Sequence, residues 1–411
     1  MTIRNIPETY STIATALSAC SNGDTVSINS GTSFTNEVLH SFGALSGITI
    51  SNNTGGNVAV GVNTSSYILA GTSWTIESPN GTITFTGGTS GAPLLYVYNK
   101  SGVYVSGCIF SRPSGGIPIK VSGVSANSSL ALTNVESYAS AATNCLEVYG
   151  NGRISFAVIN NCHFEGGSSG VDIYAGTGRG GDTEIYRSTF KNTETGIIFN
   201  GAQTGGLIAR FNIMYGGTFG FNYDPDVGYA PDVLFSRNTI DVSDEAILAT
   251  AIHSNSNARI KGNWGAVMEI PLDSDWDYNG YVSKTGVAGG NDMITLLDPG
   301  FTNKAGNDYT LLSNSSLVDN GFDTGSETDF AGDPTPSGGQ ADIGAYEFQV
   351  VAWTYPEEEE PEQPMTTDFT IQNAKNMSAN YNKAIPLLPF GYYTNTLQRL
   401  HGRSAPYKVT K

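Results

Sequence analysis

Ser-Gly-Cys-Ile-Phe (106–110), Thr-Asn-Val-Glu-Ser (133–137), Asn-Asn-Cys-His-Phe (160–164), Tyr-Arg-Ser-Thr-Phe (186–190), Arg-Phe-Asn-Ile-Met (210–214), Ser-Arg-Asn-Thr-Ile (236–240) and Lys-Gly-Asn-Trp-Gly (261–265) are turns of one pattern. Their middle residues, Cys108, Val135, Cys162, Ser188, Asn212, Asn238 and Asn263, form a column with steps of 27, 27, 26, 24, 26 and 25 residues. A near-fixed period of this size marks a solenoid, in which each repeat is one coil that buries its apolar face only against its neighbours. The column holds small or hydrogen-bonding residues, as stacked equivalent positions require.

About ten residues further on in each repeat, short alternating stretches return: 119–122, 146–149, 171–174, 197–200 and 219–222. Period-two alternation predicts strands with one buried face, here Ile119/Val121, Leu146/Val148, Val171/Ile173, Ile197/Phe199 and Phe219/Phe221. Two or three strands per coil with Gly, Asn and Ser at the corners predict an all-β, single-stranded parallel β-helix. No amphipathic helical run interrupts the repeats, which excludes a helical solenoid.

The totals agree with this reading. Of 411 residues 50 are Gly, only 14% are charged and 39% are apolar, a turn-rich β composition that still supplies a core. A net charge of −17 argues against nucleic acid as a partner. Cys108 and Cys162 lie two coils apart, about 9.5 Å at the usual strand spacing and beyond bridging distance, so the four cysteines are read as free thiols. No apolar leader precedes the first strand and no run of apolar residues is long enough to span a bilayer, so neither a signal peptide nor membrane insertion is expected.

Residues 11–20 place Ile13, Leu17 and Cys20 on one helical face behind Ser11, the expected N-cap. Gly23-Asp-Thr-Val and Gly31-Thr-Ser-Phe follow. This order resembles the N-terminal cap of pectate-lyase-like right-handed β-helix proteins, and the resemblance implies that handedness and a helical cap. Leu297-Asp-Pro-Gly-Phe, Asn314-Ser-Ser-Leu-Val-Asp-Asn-Gly and Ala341-Asp-Ile-Gly-Ala-Tyr-Glu resemble the closing segment of bacterial and viral surface β-helix proteins. The expected division is a cap and first coil (1–30), a β-helix (31–295), a closing segment (296–350), an acidic Pro/Glu linker (351–364) and a basic tail (365–411). The tail carries six Lys/Arg against Asp368, or +5, which leaves −22 for residues 1–364.

The outward positions of the second alternating stretch form the candidate site. Lys120, Glu147, Asp172 and Ile198 make one line, and Ser122, Tyr149, Tyr174, Asn200 and Asn222 the next. Glu147 and Asp172, one coil apart, sit at the backbone spacing of about 5 Å that suits the nucleophile and acid of a retaining glycosidase. Lys120, Tyr149, Tyr174, Asn200 and Asn222 around them are the candidate glycan-binding groups, the tyrosines offering flat apolar faces with polar tips. Lyases of the resembled superfamily use an Arg or Lys base beside a calcium-binding acidic patch, which Lys120 with the two carboxylates imitates loosely. Asp273, Asp275 and Asp277 begin like a calcium loop, but Tyr278 and Lys284 occupy the Gly and Glu places of an EF-hand. These acids are read as solvated, with calcium the alternative, and no cofactor is expected.

Without a leader, an acidic β-helix of extracellular type resembles a bacteriophage virion protein: a capsid decoration, fibre or spike made in the host cytoplasm and carried on the particle surface. In that reading Leu387, Leu388, Phe390, Tyr392, Tyr393, Arg399 and Arg403 dock residues 365–411 on a capsid or tail protein or on sister copies of the chain, and the body adheres to host cell-surface polysaccharide. The alternatives are a polysaccharide depolymerase acting through Glu147 and Asp172, and a bacterial surface adhesin.

Overall fold

Each turn of the pattern closes as a coil of three strands, as in Ser128–Thr133, Glu136–Ala139 and Asn144–Gly150, after which Ser155–Asn160 starts the next. The computed structural model describes residues 1–349 apart from 30–32, 65, 89–91, 113–114, 151–154, 176–182, 202–204, 224–231, 250–256, 271–274, 287–288, 323–324, 326 and 338. Equivalent strands of successive coils pair in parallel and build three ladders. The first ladder is a 12-stranded sheet running from Ile3–Ile6 to Asp275–Asp277. The second and third meet in Trp264–Ile270, a strand long enough to pair with both. The architecture is the expected right-handed parallel β-helix, the hand that parallel crossovers adopt.

The repeating column is the corner between the first and second ladders. One residue in the left-handed region, among them Asn134, Asn161, Arg187, Phe211, Arg237 and Tyr278, turns the chain, and the column residue follows it into the interior. Cys162 N donates to Ser188 Oγ at 3.1 Å and Ser188 N to Asn212 Oδ1 at 2.9 Å. The chain of bonds continues through Asn212 N to Asn238 Oδ1, Asn238 N to Asn263 Oδ1, and Asn263 N to Asn279 Oδ1, each at 2.9–3.0 Å. Asn279 extends the ladder beyond the sequence repeat, and Asp292 Oδ1 ends it by accepting from Asn279 N at 2.8 Å. All four asparagines are fully buried, so from Cys162 to Asn279 the ladder answers a backbone donor in each coil that would otherwise be orphaned.

Inside the coil, Phe85, Phe110, Ser137, Phe164, Phe190, Met214 and Ile240 stand in register along the second ladder. Phe85 stacks on Phe110 and Phe164 on Phe190 with centroids 5.2 Å apart. Ser137 interrupts the stack and donates to the Cys145 carbonyl at 2.9 Å. The four cysteines are free, and burial pushes the thiols of Cys145 and Cys162 up to about 12.

The cap helix is Ile13–Ser18, one residue shorter at its start than Ser11 as N-cap would make it. Thr12 caps it instead, in a reciprocal pair with Thr15. The buried carboxylate of Glu37 accepts from Ile13 N and Ala14 N at 3.3 and 2.8 Å, where the helix end favours negative charge.

The closing segment does not plug the end of the solenoid. It folds back along the outer face of the second ladder, where Phe301, Tyr309, Leu317 and Ile343 form a second small core with Ile213 and Trp264. Side chains from consecutive corners hold it. Arg187 donates to Thr328 Oγ1 at 3.1 Å, Arg210 forms a two-pronged ion pair with Glu327, and Arg237, 1% exposed, donates to the Phe322 carbonyl and to Thr335 Oγ1. The Asp-Ile-Gly-Ala-Tyr-Glu stretch supplies Asp342 and Glu347, buried carboxylates that accept backbone N–H groups from Asp319 (2.7 Å), Phe348 (2.5 Å), Ser337 (2.6 Å) and Asp342 itself (3.1 Å).

The compact unit Met1–Val350 contains all of this, and residues 351–411 lie outside the described residues. Among the described residues no helix is long and apolar enough to cross a membrane.

Candidate functional site

Alternation on the third ladder sends one side chain in and the next out, so its outer face carries one outward line per alternate position. Register pairs Tyr96, Lys120, Glu147, Asp172, Ile198, Asn222 and Leu248 along one line. Tyr98, Ser122, Tyr149, Tyr174 and Asn200 form the other. Asn222 therefore belongs to the carboxylate line, opposite Ile198, and not beside Asn200 as the sequence reading placed it. Phe221 pairs with Ile197 rather than Phe199, and Tyr223 takes the place opposite Phe199. The strand 219–223 sits two residues along from the position assigned to it, which leaves inside and outside unchanged.

The structure brings the central groups together. Lys120 Nζ forms an ion pair with Glu147 Oε1 and lies over the Tyr149 ring, 5.2 Å from its centroid. Tyr149 and Tyr174 stack with centroids 5.5 Å apart and planes 3° from parallel. Asn144 Nδ2 donates to Asp172 Oδ2 at 2.9 Å, and Ser168 Oγ fixes Asn144 by donating to its Oδ1 at 2.8 Å. Asp172 Oδ1 is buried with no hydrogen-bond partner among the described residues, as is Asn222 Oδ1. Burial, reinforced by the charge of Glu147, pushes the Asp172 carboxyl up to about 6, against the opposing pull of Asn144 and Lys120. The neutral form of Asp172 is thus easier to reach than that of an exposed carboxyl, while Glu147 faces an ammonium.

Several members of the strip escaped the sequence reading. Tyr96 and Tyr98 continue it toward the N-terminus with ring centroids 5.2 Å apart. Tyr67 follows at 6.2 Å from Tyr96, and His40 stacks on Tyr67 at 5.6 Å, its Nδ1 2.9 Å from Ser66 Oγ. The alternation Leu95-Tyr-Val-Tyr was the available signal, but it lies before the regular repeat. Asn144, just ahead of the inward Leu146, was missed for want of any pattern.

The other candidates lie elsewhere. Asp275 pairs with Lys261 at 2.7 Å. Asp277 accepts from Tyr278 N, Asn291 N and Asn291 Nδ2 at 2.7–3.0 Å, so it braces a loop, while Asp273 lies outside the described residues. A calcium-dependent lyase centre needs several converging oxygen ligands. On the strip Lys120 engages Glu147 and Asn144 engages Asp172, and among the described residues no group of three His, Cys, Asp or Glu converges, so the residues present do not fit one. On the neighbouring second ladder His163 and Lys191 both pair with Glu165, at 3.2 and 2.9 Å, as a half-exposed surface network. Leu387, Leu388, Phe390, Tyr392, Tyr393, Arg399 and Arg403 all lie outside the described residues.

Comparison with solved structures identifies the architecture. A crystal structure of pectate lyase Pel9A superposes with a TM-score of 0.56 over 84% of this chain and 96% of its own, at 15% sequence identity. The fold is pectate-lyase-like. No family model matches the sequence, and no curated protein does. At this identity the likeness carries the shape of the pectate-lyase-like body and not its chemistry. Nothing in these comparisons points to a virus particle.

Proposed function

We propose that this chain binds a polysaccharide along the outer face of the third ladder and hydrolyses it as a retaining glycoside hydrolase. One observation carries the reading: Asp172, pushed up to about 6, stands one strand from Glu147, whose charge helps to raise it. Paired carboxyl groups at strand spacing, one of them raised so that it can give up a proton near neutral pH, suit a double-displacement mechanism. Glu147 attacks the anomeric carbon while the Asp172 carboxyl gives its proton to the departing glycosidic oxygen. In the second step the Asp172 carboxylate takes a proton from water, and the resulting hydroxide displaces the sugar from Glu147 and restores both groups. Lys120 holds Glu147 in place through their ion pair, and Asn144 orients Asp172. The shared shape with a pectate lyase supports polysaccharide as the ligand class.

The test is release of reducing ends from polysaccharides by the intact protein, with Glu147→Gln and Asp172→Asn as controls. Activity retained in both variants would overturn the assignment. Binding without cleavage is the second reading, favoured by the Lys120–Glu147 ion pair, which occupies one oxygen of the nucleophile. Retention on a polymer with no reducing ends released would select it. Display of this body on a particle, through residues 365–411, is a separate proposal drawn from the +5 charge of that tail. A chain cut after residue 364 that still joins particles at full occupancy would end it.

A further inference from the structure

The strip is poor in positive charge. Its one cation among the described residues, Lys120, is already paired with Glu147, and Asp172 stands beside them. The downstream end is acidic as well: burial together with Asp244 and Glu269 holds the Glu245 carboxyl above its ordinary value. In the links from third to first strand between 99 and 231 the sequence has Lys100, Arg153 and Arg179 against Asp182, Asp224 and Asp226, so they bring no net positive charge. The whole chain carries −17. A polyanion laid on this face would meet repulsion at long range and find no unpaired cation among the described groups of the strip.

Apolar rings and amides take the place of cations. Tyr67, Tyr96, Tyr98, Tyr149 and Tyr174 recur along the face, and Tyr98 and Tyr174 remain 37% and 45% exposed even with a neighbouring ring against each. A ladder built only to stabilise the coil would bury such rings; these leave faces available to the C–H surface of a sugar. Asn222 adds a buried Oδ1 without a hydrogen-bond partner among the described residues, an acceptor of the kind that a hydroxyl satisfies. The track spans the coils from Tyr67 to Asn222, about 29 Å at the usual strand spacing, parallel to the solenoid axis.

Resting on the polysaccharide reading above, we infer that the substrate is an uncharged, hydroxyl-rich polysaccharide lying along the solenoid axis, with Tyr67, Tyr96 and Tyr98 as subsites upstream of the carboxylates. The chain shares its shape with an enzyme named for an anionic polymer, but its electrostatics select a different class of ligand.

The experiment is affinity electrophoresis of the intact protein through gels containing neutral polymers (galactomannan, xylan, dextran) or polygalacturonate, at low and high salt, with calcium or with a chelator. The expected result is retardation by a neutral polymer, indifferent to salt, calcium and chelator. Tyr96→Ala and Tyr98→Ala should each weaken it by about three- to tenfold. Tighter, salt-sensitive retardation by polygalacturonate in either condition would overturn the uncharged class while leaving a polysaccharide ligand in place. Unchanged affinity in both tyrosine variants, with their fold intact by circular dichroism, would overturn the subsites. Retardation by no polymer at all would remove the polysaccharide reading and this inference together.

Discussion

Asn238 and Asn263 stand one coil apart with the side-chain amide of the first bonded to the oxygen of the second at 2.9 Å, and the backbone N–H of Asn238 reaches the same oxygen at 3.0 Å. Asn238 also relieves the Ala209 carbonyl at 3.0 Å and accepts from Asn212. Replacing it by Ala strips partners from buried groups on both neighbouring coils. Asn238→Ala should therefore cost about 2–4 kcal/mol, read from the midpoint of chemical denaturation. A cost no larger than that of an exposed substitution would show that water replaces the amide.

Phe190 stacks on Phe164 and is followed by Met214 in the interior column. Phe190→Ala should cost about 3–5 kcal/mol, because parallel strands on either side resist collapse into the cavity. Ile173→Asp, which places a carboxylate among buried side chains of the third ladder, should cost at least about 3 kcal/mol. Thermal melts near wild type for both would contradict the register given above.

The pH dependence follows from Asp172. Its neutral form is the acid, and that form is lost as pH rises through about 6, so hydrolysis should fall on the alkaline side of that value. Asn144→Ala removes a donor that favours the ionised form, and the alkaline limb should move to higher pH. An unmoved limb, with activity otherwise retained, would mean that Asp172 is not the group observed.

The closing segment has its own pH dependence. Burial pushes Asp342 up to about 7, above its ordinary 3.8, so the folded state holds its proton more tightly than the unfolded chain. With a raised carboxyl the stabilising contribution is complete below about 4 and is lost as pH climbs to about 7. Hydrogen exchange of backbone amides in 315–349 should accelerate over that range while the Asn238 region stays protected. Arg210→Met, which breaks the pair with Glu327, should accelerate the same amides at every pH.

Much of the coil was legible because each repeat states its own geometry. The column from Cys108 to Asn263 marks one corner, and alternation such as Leu146/Val148 marks inside and outside. Alternation has a period of two, however, so it cannot distinguish a strand from the same strand moved by two residues. That is why Asn222 was assigned to the wrong line while its outward direction was right. Lys120, Glu147, Asp172, Tyr149 and Tyr174 could be placed on one outer face because they share regular repeats. Tyr67 and Tyr96 lie where the period is irregular. The Arg210–Glu327 pair, which holds the closing segment, joins residues 117 apart in the chain, and no local pattern reports such a contact.

The three corners of the coil have unequal freedom. At the asparagine corner a left-handed residue and a ladder residue link the strands of coil after coil, as between Thr133 and Glu136, because any longer link would carry the amide out of reach of its neighbours. At the corner after the third strand the links range from 151–154 to 224–231, and the ladder bonds do not pass through them. Changes in the length of these links should therefore leave the solenoid undisturbed. A lineage built on this coil could exchange one ligand for another by resizing these links alone, while the opposite corner kept count of the coils.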